Sequence, residues 1–139
     1  MRAVLDPNIL ISALLSRSGA PAQILARWFA GAFELVVSET LLAELERALT
    51  YPKLHNRLGA SETADFVSLL RQAAILAPDP PAPARRSADP GDDYLLALAE
   101  NEHAMLVSGD QHLLTLADEL PIQTARGFLE QLDARPEHA

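Results

Sequence analysis

Short apolar runs, each followed by a segment with helical spacing, recur along this chain from its first residues almost to its last. That alternation constrains the fold more than any other feature. Strands separated by helices pair in parallel, and the helices then cover both faces of the sheet. Strands are expected over residues 2–6, 33–37, 74–77 and 105–107, with a last short one around Ile122. Helices are expected over 8–16, 21–30, 38–50, 61–73, 92–102, 111–117 and 127–132. The expected fold is a three-layer α/β/α sandwich around a central, mainly parallel sheet of four to five strands. In such sheets ligands bind outside the carboxyl ends of the strands. The residues just after each strand are therefore the ones to examine.

Local signals set the boundaries. Gly19 and Gly31 bracket the second helix, and Ser38 resembles an N-cap for the third. Pro52 disfavours helical geometry at Tyr51 and should stop that helix. Residues 78–91 hold five of the ten prolines and read as a loop inside the domain, because too little chain follows to build a second core. Residues 1–132 are expected to form a single domain and 133–139 a tail. Hydrophobic residues make up 49% of the chain, enough for one sizeable core. No apolar run approaches the length of a membrane span, and Asp6 interrupts the first one, unlike a signal peptide. Cysteine is absent, which excludes disulfides, thiolate metal sites and cysteine nucleophiles. A soluble, cytoplasmic protein is expected. The net charge of −8 argues, by itself, against a nucleic-acid binder. It also allows a metal site, whose cations would invert the local field.

Four strand ends carry acids. Asp6 ends the first strand, Glu44 lies on the helix after the second, Asp92 and Asp93 open the helix after the proline-rich loop, and Asp110 follows the fourth strand. Crowded carboxylates raise each other's pKa, and a divalent cation removes the conflict. Oxygen donors without Cys or His suit magnesium or manganese. Each position also has a structural reading. Asp6 before Pro7 makes a good N-cap, and Asp110 can cap the short helix that follows it. Glu44 lies as far from the apolar stripe as Glu46, so periodicity does not choose between them. Asp92 shares a face with Leu95, Leu96 and Ala99, which places it on the buried side, unless it serves only the helix dipole. Asp93 lies about 100° away and is expected to be more exposed. Asp89 reads as a turn or cap. The four histidines show no ligand spacing, and His103 reads as a packed or half-exposed side chain.

Four segments in order resemble the motifs of one family. They are Val4-Leu5-Asp6-Pro7-Asn8, Ser38-Glu39-Thr40-Leu41-Leu42-Ala43-Glu44, Asp89-Pro90-Gly91-Asp92-Asp93-Tyr94 and Leu106-Val107-Ser108-Gly109-Asp110. The chain resembles PIN domains, and within them the VapC-like toxin components of bacterial toxin–antitoxin pairs. The resemblance implies a metal-dependent nuclease acting on RNA, with Asp6, Glu44, Asp92 and Asp110 as catalytic metal-site acids and Asn8, Ser108 and Asp93 in support. It implies Mg²⁺ or Mn²⁺ as cofactor, a homodimer, and a small antitoxin as partner. It favours Glu44 over Glu46. One departure is Pro7, where the family has threonine, so a hydroxyl and an N–H are lost.

On this reading Arg17, Arg47, Lys53, Arg85 and Arg86 are candidates for guiding RNA, each with a plain surface charge as its alternative. A haloacid-dehalogenase-type phosphatase also places Asp after its first strand. It needs a second carboxylate where Asn8 stands and a later lysine, and none follows Lys53. A non-catalytic PIN-like protein-binding module is the alternative from a different functional class.

Overall fold

The computed structural model describes residues 1–81 and 90–134. Among these residues, five strands form one sheet: β1 (Arg2–Leu5), β2 (Glu34–Val37), β3 (Ile75–Leu76), β4 (Met105–Val107) and β5 (Ile122–Gln123). Their order across the sheet is β3-β2-β1-β4-β5, and every pairing is parallel. β1 lies at the centre, with Val4 opposite Leu106 and Ala3 opposite Leu35. Ala3, Val4 and Leu5 are all buried, as a strand covered on both faces requires.

Among the described residues, eight helices connect and cover the strands: α1 (Pro7–Leu15), α2 (Ala20–Phe29), α3 (Glu39–Leu49), α4 (Pro52–His55), α5 (Ala60–Ala73), α6 (Asp93–Asn101), α7 (Gln111–Leu114) and α8 (Ala125–Ala134). α1 packs on α2 and α3, α2 on α8, α3 on α5, and α6 across β1 and β4. The expected three-layer α/β/α sandwich is the observed fold. The core joins the sheet to the helices through residues such as Leu10, Leu45, Leu95 and Phe128. Phe33 and Phe128 meet edge to face with centroids 5.2 Å apart, a favoured aromatic geometry.

Capping follows the sequence signals closely. The Ser38 hydroxyl accepts the Leu41 N–H at 3.2 Å and starts α3. Gly31, at φ 85°, closes α2: Gly31 N–H donates to the Trp28 carbonyl and Ala32 N–H to that of Arg27. α6 closes in the same way, but with His103 at φ 53° in the position glycine usually takes. His103 N–H donates to the Glu100 carbonyl and Ala104 N–H to that of Ala99. His103 is exposed at this turn, not packed.

Several boundaries differ from expectation. α7 is shorter, ending at Leu114 and not at Ala117. α4 is an extra turn: Pro52 ends α3's run but also occupies α4's first position, where its missing N–H costs nothing. α8 begins at Ala125 and continues through Ala134, beyond both ends of the expected helix over 127–132. Residues 90–92 form a 3₁₀ turn, so α6 begins at Asp93 and not at Asp92.

Candidate acid rim at the carboxyl edge of the sheet

The strand order fixes where a site can lie. β2 and β3 extend the sheet to one side of β1, and β4 and β5 extend it to the other. The order reverses between β1 and β4, and a crevice opens there at the carboxyl ends. Asp6 immediately follows β1, and Ser108 and Asp110 follow β4.

Asp6 is buried, with only 5% of its surface exposed. Its backbone N–H donates to the Val107 carbonyl at 3.0 Å, which extends the β1–β4 ladder by one residue. Its Oδ1 accepts the Asn8 N–H at 3.0 Å and caps α1. Its Oδ2 accepts the Ser108 hydroxyl at 2.8 Å, a buried bond across the crevice. Pro7 takes the first helical position, where no N–H is needed. The capping and site readings of Asp6 are therefore compatible, because the two oxygens are used differently. Burial raises the Asp6 carboxyl above the ordinary value of 3.8. The Asn8 and Ser108 hydrogen bonds oppose that rise, and the negative charge of Asp110 adds to it. Asp6 has no ion pair among the described residues.

Ser108 is fully buried and links two acids. While donating to Asp6 it accepts the Asp110 N–H at 3.0 Å. Asp110 Oδ1 accepts the His112 N–H at 2.8 Å, so this acid also caps its helix. Asp110, Gly109, Asn8, Ile9 and Ser12 line a groove of about 290 Å³. Asn8 is exposed, and its backbone holds Asp6 while its residue lines the groove. Ser12 was not foreseen. It sits one turn beyond Asn8 on the same helix face, and that spacing was the available signal.

Tyr94 shows which other acids belong here. Its phenol is raised well above the ordinary tyrosine range, first by burial, then by the charges of Glu44, Asp6, Asp92 and Asp79. These acids come from α3, the end of β1, the turn before α6 and the segment after β3. The charges of Asp6, Glu44 and Asp92 thus all act on one phenol, and that of Asp110 acts on Asp6. Neither Tyr94 nor Asp79 was expected from the sequence. Tyr94 passed as an ordinary helical residue, and Asp79 lay inside the proline-rich segment.

Two expectations about burial change. Asp93 is the buried one of the acidic pair, at 3% exposure, and Asp92 is only partly covered. The helical wheel assumed α geometry from Asp92, but the 3₁₀ turn changes the angle at which Asp92 leaves the backbone. Glu44 and Glu46 are also unequal. Glu44 is half-buried and paired with Arg47, whereas Glu46 is exposed and lines a separate cleft between α3 and α5.

Arg17 and Lys53 are exposed, and Arg47 is drawn to the rim by Glu44. Arg85, Arg86 and Asp89 lie outside the described residues. Among the described residues, no three acids stand close enough to hold one ion together by direct ligation. Larger clefts lie elsewhere, of about 420 Å³ between α3 and α5 and about 510 Å³ at the amino ends of β1 and β4. Neither gathers the acids. No single helix among the described residues is long and apolar enough to cross a membrane.

A protein-family model described as PIN domain matches residues 2–112. An uncharacterised protein of Methanocaldococcus jannaschii, MJ1680, is 24% identical over 96% of this chain and 92% of its own length. Among solved structures, FitAcB from Neisseria gonorrhoeae is similar at a TM-score of 0.57 and 18% identity, over 89% of this chain and 98% of that one. A PilT N-terminus domain protein from Sulfolobus solfataricus, SSO1118, is similar at a TM-score of 0.54 and 14% identity, over 100% and 99% of the two chains. At these identities the structures speak for the fold, while the family model, spanning most of the chain, speaks for descent. With its parallel sheet and the acids at the carboxyl edge, the chain belongs to the PIN domain family.

Proposed function

We propose that this protein is a metal-dependent endoribonuclease, and that Asp6, Glu44, Asp92 and Asp110 hold Mg²⁺ or Mn²⁺ at the carboxyl edge of the sheet. PIN domains are typically nucleases, which supports this class of activity. The observation that carries the reading for this chain is Asp6. It is a buried carboxylate at the crevice, raised in pKa, near other acids and without an ion pair among the described residues. Such a group is costly as an anion unless a cation completes it.

The donor set fits a hard divalent cation. It offers carboxylate oxygens and hydroxyls and no thiolate. Since no three acids among the described residues converge directly, some of the four would act through water. When bound, a divalent cation supplies the Lewis acidity that lowers the pKa of water and offsets charge on phosphoryl oxygens.

The chain's own residues supply orientation. Ser108 fixes Asp6 Oδ2 and, through its second bond, the backbone of Asp110. The cap on α1 fixes Asp6 Oδ1 and leaves Asn8 and Ser12 along the groove. Arg47, paired with Glu44, and the exposed Arg17 and Lys53 would guide the RNA strand. The substrate proposed is RNA, cleaved by water attack on phosphorus. The full reading includes a cytoplasmic homodimer that is the toxin of a toxin–antitoxin pair, blocked by a small antitoxin protein. It rests on the motif resemblance to VapC-like proteins. A short neighbouring reading frame whose product co-purifies with this protein and inhibits it would support that part.

Calorimetry tests the metal site. Mn²⁺ should bind the wild type saturably and Asp92→Asn more weakly, with RNA cleavage falling in parallel. Equal Mn²⁺ binding by both proteins would refute the assignment. A wild type with no saturable Mn²⁺ site would favour the non-catalytic binding module.

A further inference from the structure

One more acid reaches the rim, from a part of the chain that the motifs do not cover. After β3, the Ala77 N–H donates to the Val37 carbonyl at 2.8 Å, so the chain stays paired with β2 up to the carboxyl edge. Two residues later Asp79 turns to α3. Its Oδ2 accepts the Thr40 N–H at 3.0 Å, across 39 residues of sequence. Thr40 is the second residue of α3, and the N–H groups of a first turn have no acceptor within the helix. Ser38 serves the Leu41 N–H, so α3 carries one local cap and one from a distant segment.

The two caps differ in consequence. A cap from the preceding residue shapes the entry of the chain but moves with the helix. A cap from the β3 segment ties the helix to the sheet and opposes rotation about its axis. Glu44 stands one turn beyond Thr40 on the same face of α3, so such a rotation would sweep its carboxylate along the rim. The bond to Thr40, in the first turn of α3, places Asp79 at the carboxyl edge of the sheet and not at the far end of the helix. Its other oxygen, Oδ1, is buried and makes no hydrogen bond among the described residues.

We propose that Asp79 is a positioning residue of the acid rim, clamping the first turn of α3 to the β3 segment and so fixing Glu44 for its role. This rests on the metal-nuclease reading above. Losing the clamp should act on the metal and on turnover, and not on the capture of RNA. Misplacing a reacting group by about 1 Å costs on the order of a hundredfold in rate.

The test uses the full chain with Asp79→Ala, Asp79→Asn and Thr40→Pro. Asn keeps an acceptor oxygen for Thr40. Proline at residue 40 removes the donor without touching Asp79, and α2 already accepts Pro21 at the equivalent second position. Three readouts are taken: Mn²⁺ affinity by calorimetry, kcat and KM on an oligoribonucleotide with Mn²⁺, and exchange of the Thr40 amide by NMR. Asp79→Ala should expose the Thr40 amide, weaken Mn²⁺ binding and lower kcat about tenfold or more with KM unchanged. Thr40→Pro should reproduce the metal and kcat defects. Asp79→Asn should restore both to within about threefold of wild type. Wild-type Mn²⁺ affinity in Thr40→Pro would overturn the proposal, as would an Asp79→Asn as impaired as the alanine variant. If the wild type cleaves no RNA, the nuclease reading fails, while Mn²⁺ affinity and Thr40 exchange still decide the role of Asp79.

Discussion

Asp6→Asn should make the metal-free protein more stable while removing its function. Asparagine caps a helix as well as aspartate, so the bond from the Asn8 N–H survives. What disappears is a charge opposed by burial and by Asp110. The folded pKa is raised above 3.8, so the native state holds the proton more tightly than the unfolded chain. Stability therefore falls as pH rises through the window between the unfolded and folded values, and the full penalty is present above it. Each unit of elevation corresponds to about 1.4 kcal/mol at neutral pH. The amide keeps one acceptor oxygen for the Asn8 N–H, but its NH₂ meets Ser108 as a donor, so the Ser108 hydroxyl loses its acceptor. This offsets part of the relief, and a net gain of about 1 kcal/mol is expected. For a chain of 139 residues that is about 3 °C in Tm. The assay is thermal unfolding by circular dichroism at pH 7, in EDTA and in Mn²⁺. A cation at one hundred times its Kd should stabilise the wild type by about 2.7 kcal/mol and leave Asp6→Asn unmoved. The order of the two melting curves should therefore reverse between the two buffers. An Asp6→Asn protein that melts below wild type in EDTA, or that gains as much from Mn²⁺, would refute the reasoning.

Three further perturbations have defined outcomes. Ser108→Ala removes the donor to Asp6 and the acceptor of the Asp110 N–H, and should cost about 1–3 kcal/mol in urea unfolding. Because that bond holds the Asp6 pKa down, its loss should also move the acid limb of Mn²⁺ binding to higher pH in calorimetric titrations. The acidic pair before and at the start of α6 should separate by role. Asp92→Asn should weaken Mn²⁺ binding at least about tenfold with little change in Tm, whereas Asp93→Ala, at a buried position, should cost about 1–3 kcal/mol. His103→Gly should raise stability by about 0.5–1 kcal/mol, since glycine adopts φ 53° without the strain a histidine carries. Equilibrium unfolding in urea measures it, and a destabilised variant would show that the His103 side chain contributes more than its backbone costs.

The sheet was legible because continuous apolar strands such as Ala3-Val4-Leu5 have few other solutions, and Ser38 announced its cap by residue type alone. Asp6 and Asp110 could be placed at strand ends for the same reason. Glu44 could not be separated from Glu46 by periodicity, because both flank the stripe of Leu41, Leu45 and Leu49. Which flank faces the rim depends on β1 lying beside β2, a fact of topology. Asp92 and Asp93 exchanged their expected burial because one 3₁₀ turn shifts the register at which α geometry begins. Pro52 was read only as a stop, although proline at a first helical position is also a start. Asp79 was hidden for a different reason. Its partner lies 39 residues away, and no local pattern marks a cap supplied from another element.

The central claim is that the acids at the carboxyl edge make this chain a metal-dependent ribonuclease. The most direct measurement is cleavage of an end-labelled RNA by the purified protein with Mn²⁺, with the product ends identified by mass spectrometry. Attack by water predicts fragments without a 2′,3′-cyclic phosphate, formed by the wild type, absent in EDTA and absent with Asp6→Asn. Cyclic phosphate ends, or cleavage that persists in EDTA or in Asp6→Asn, would contradict the account.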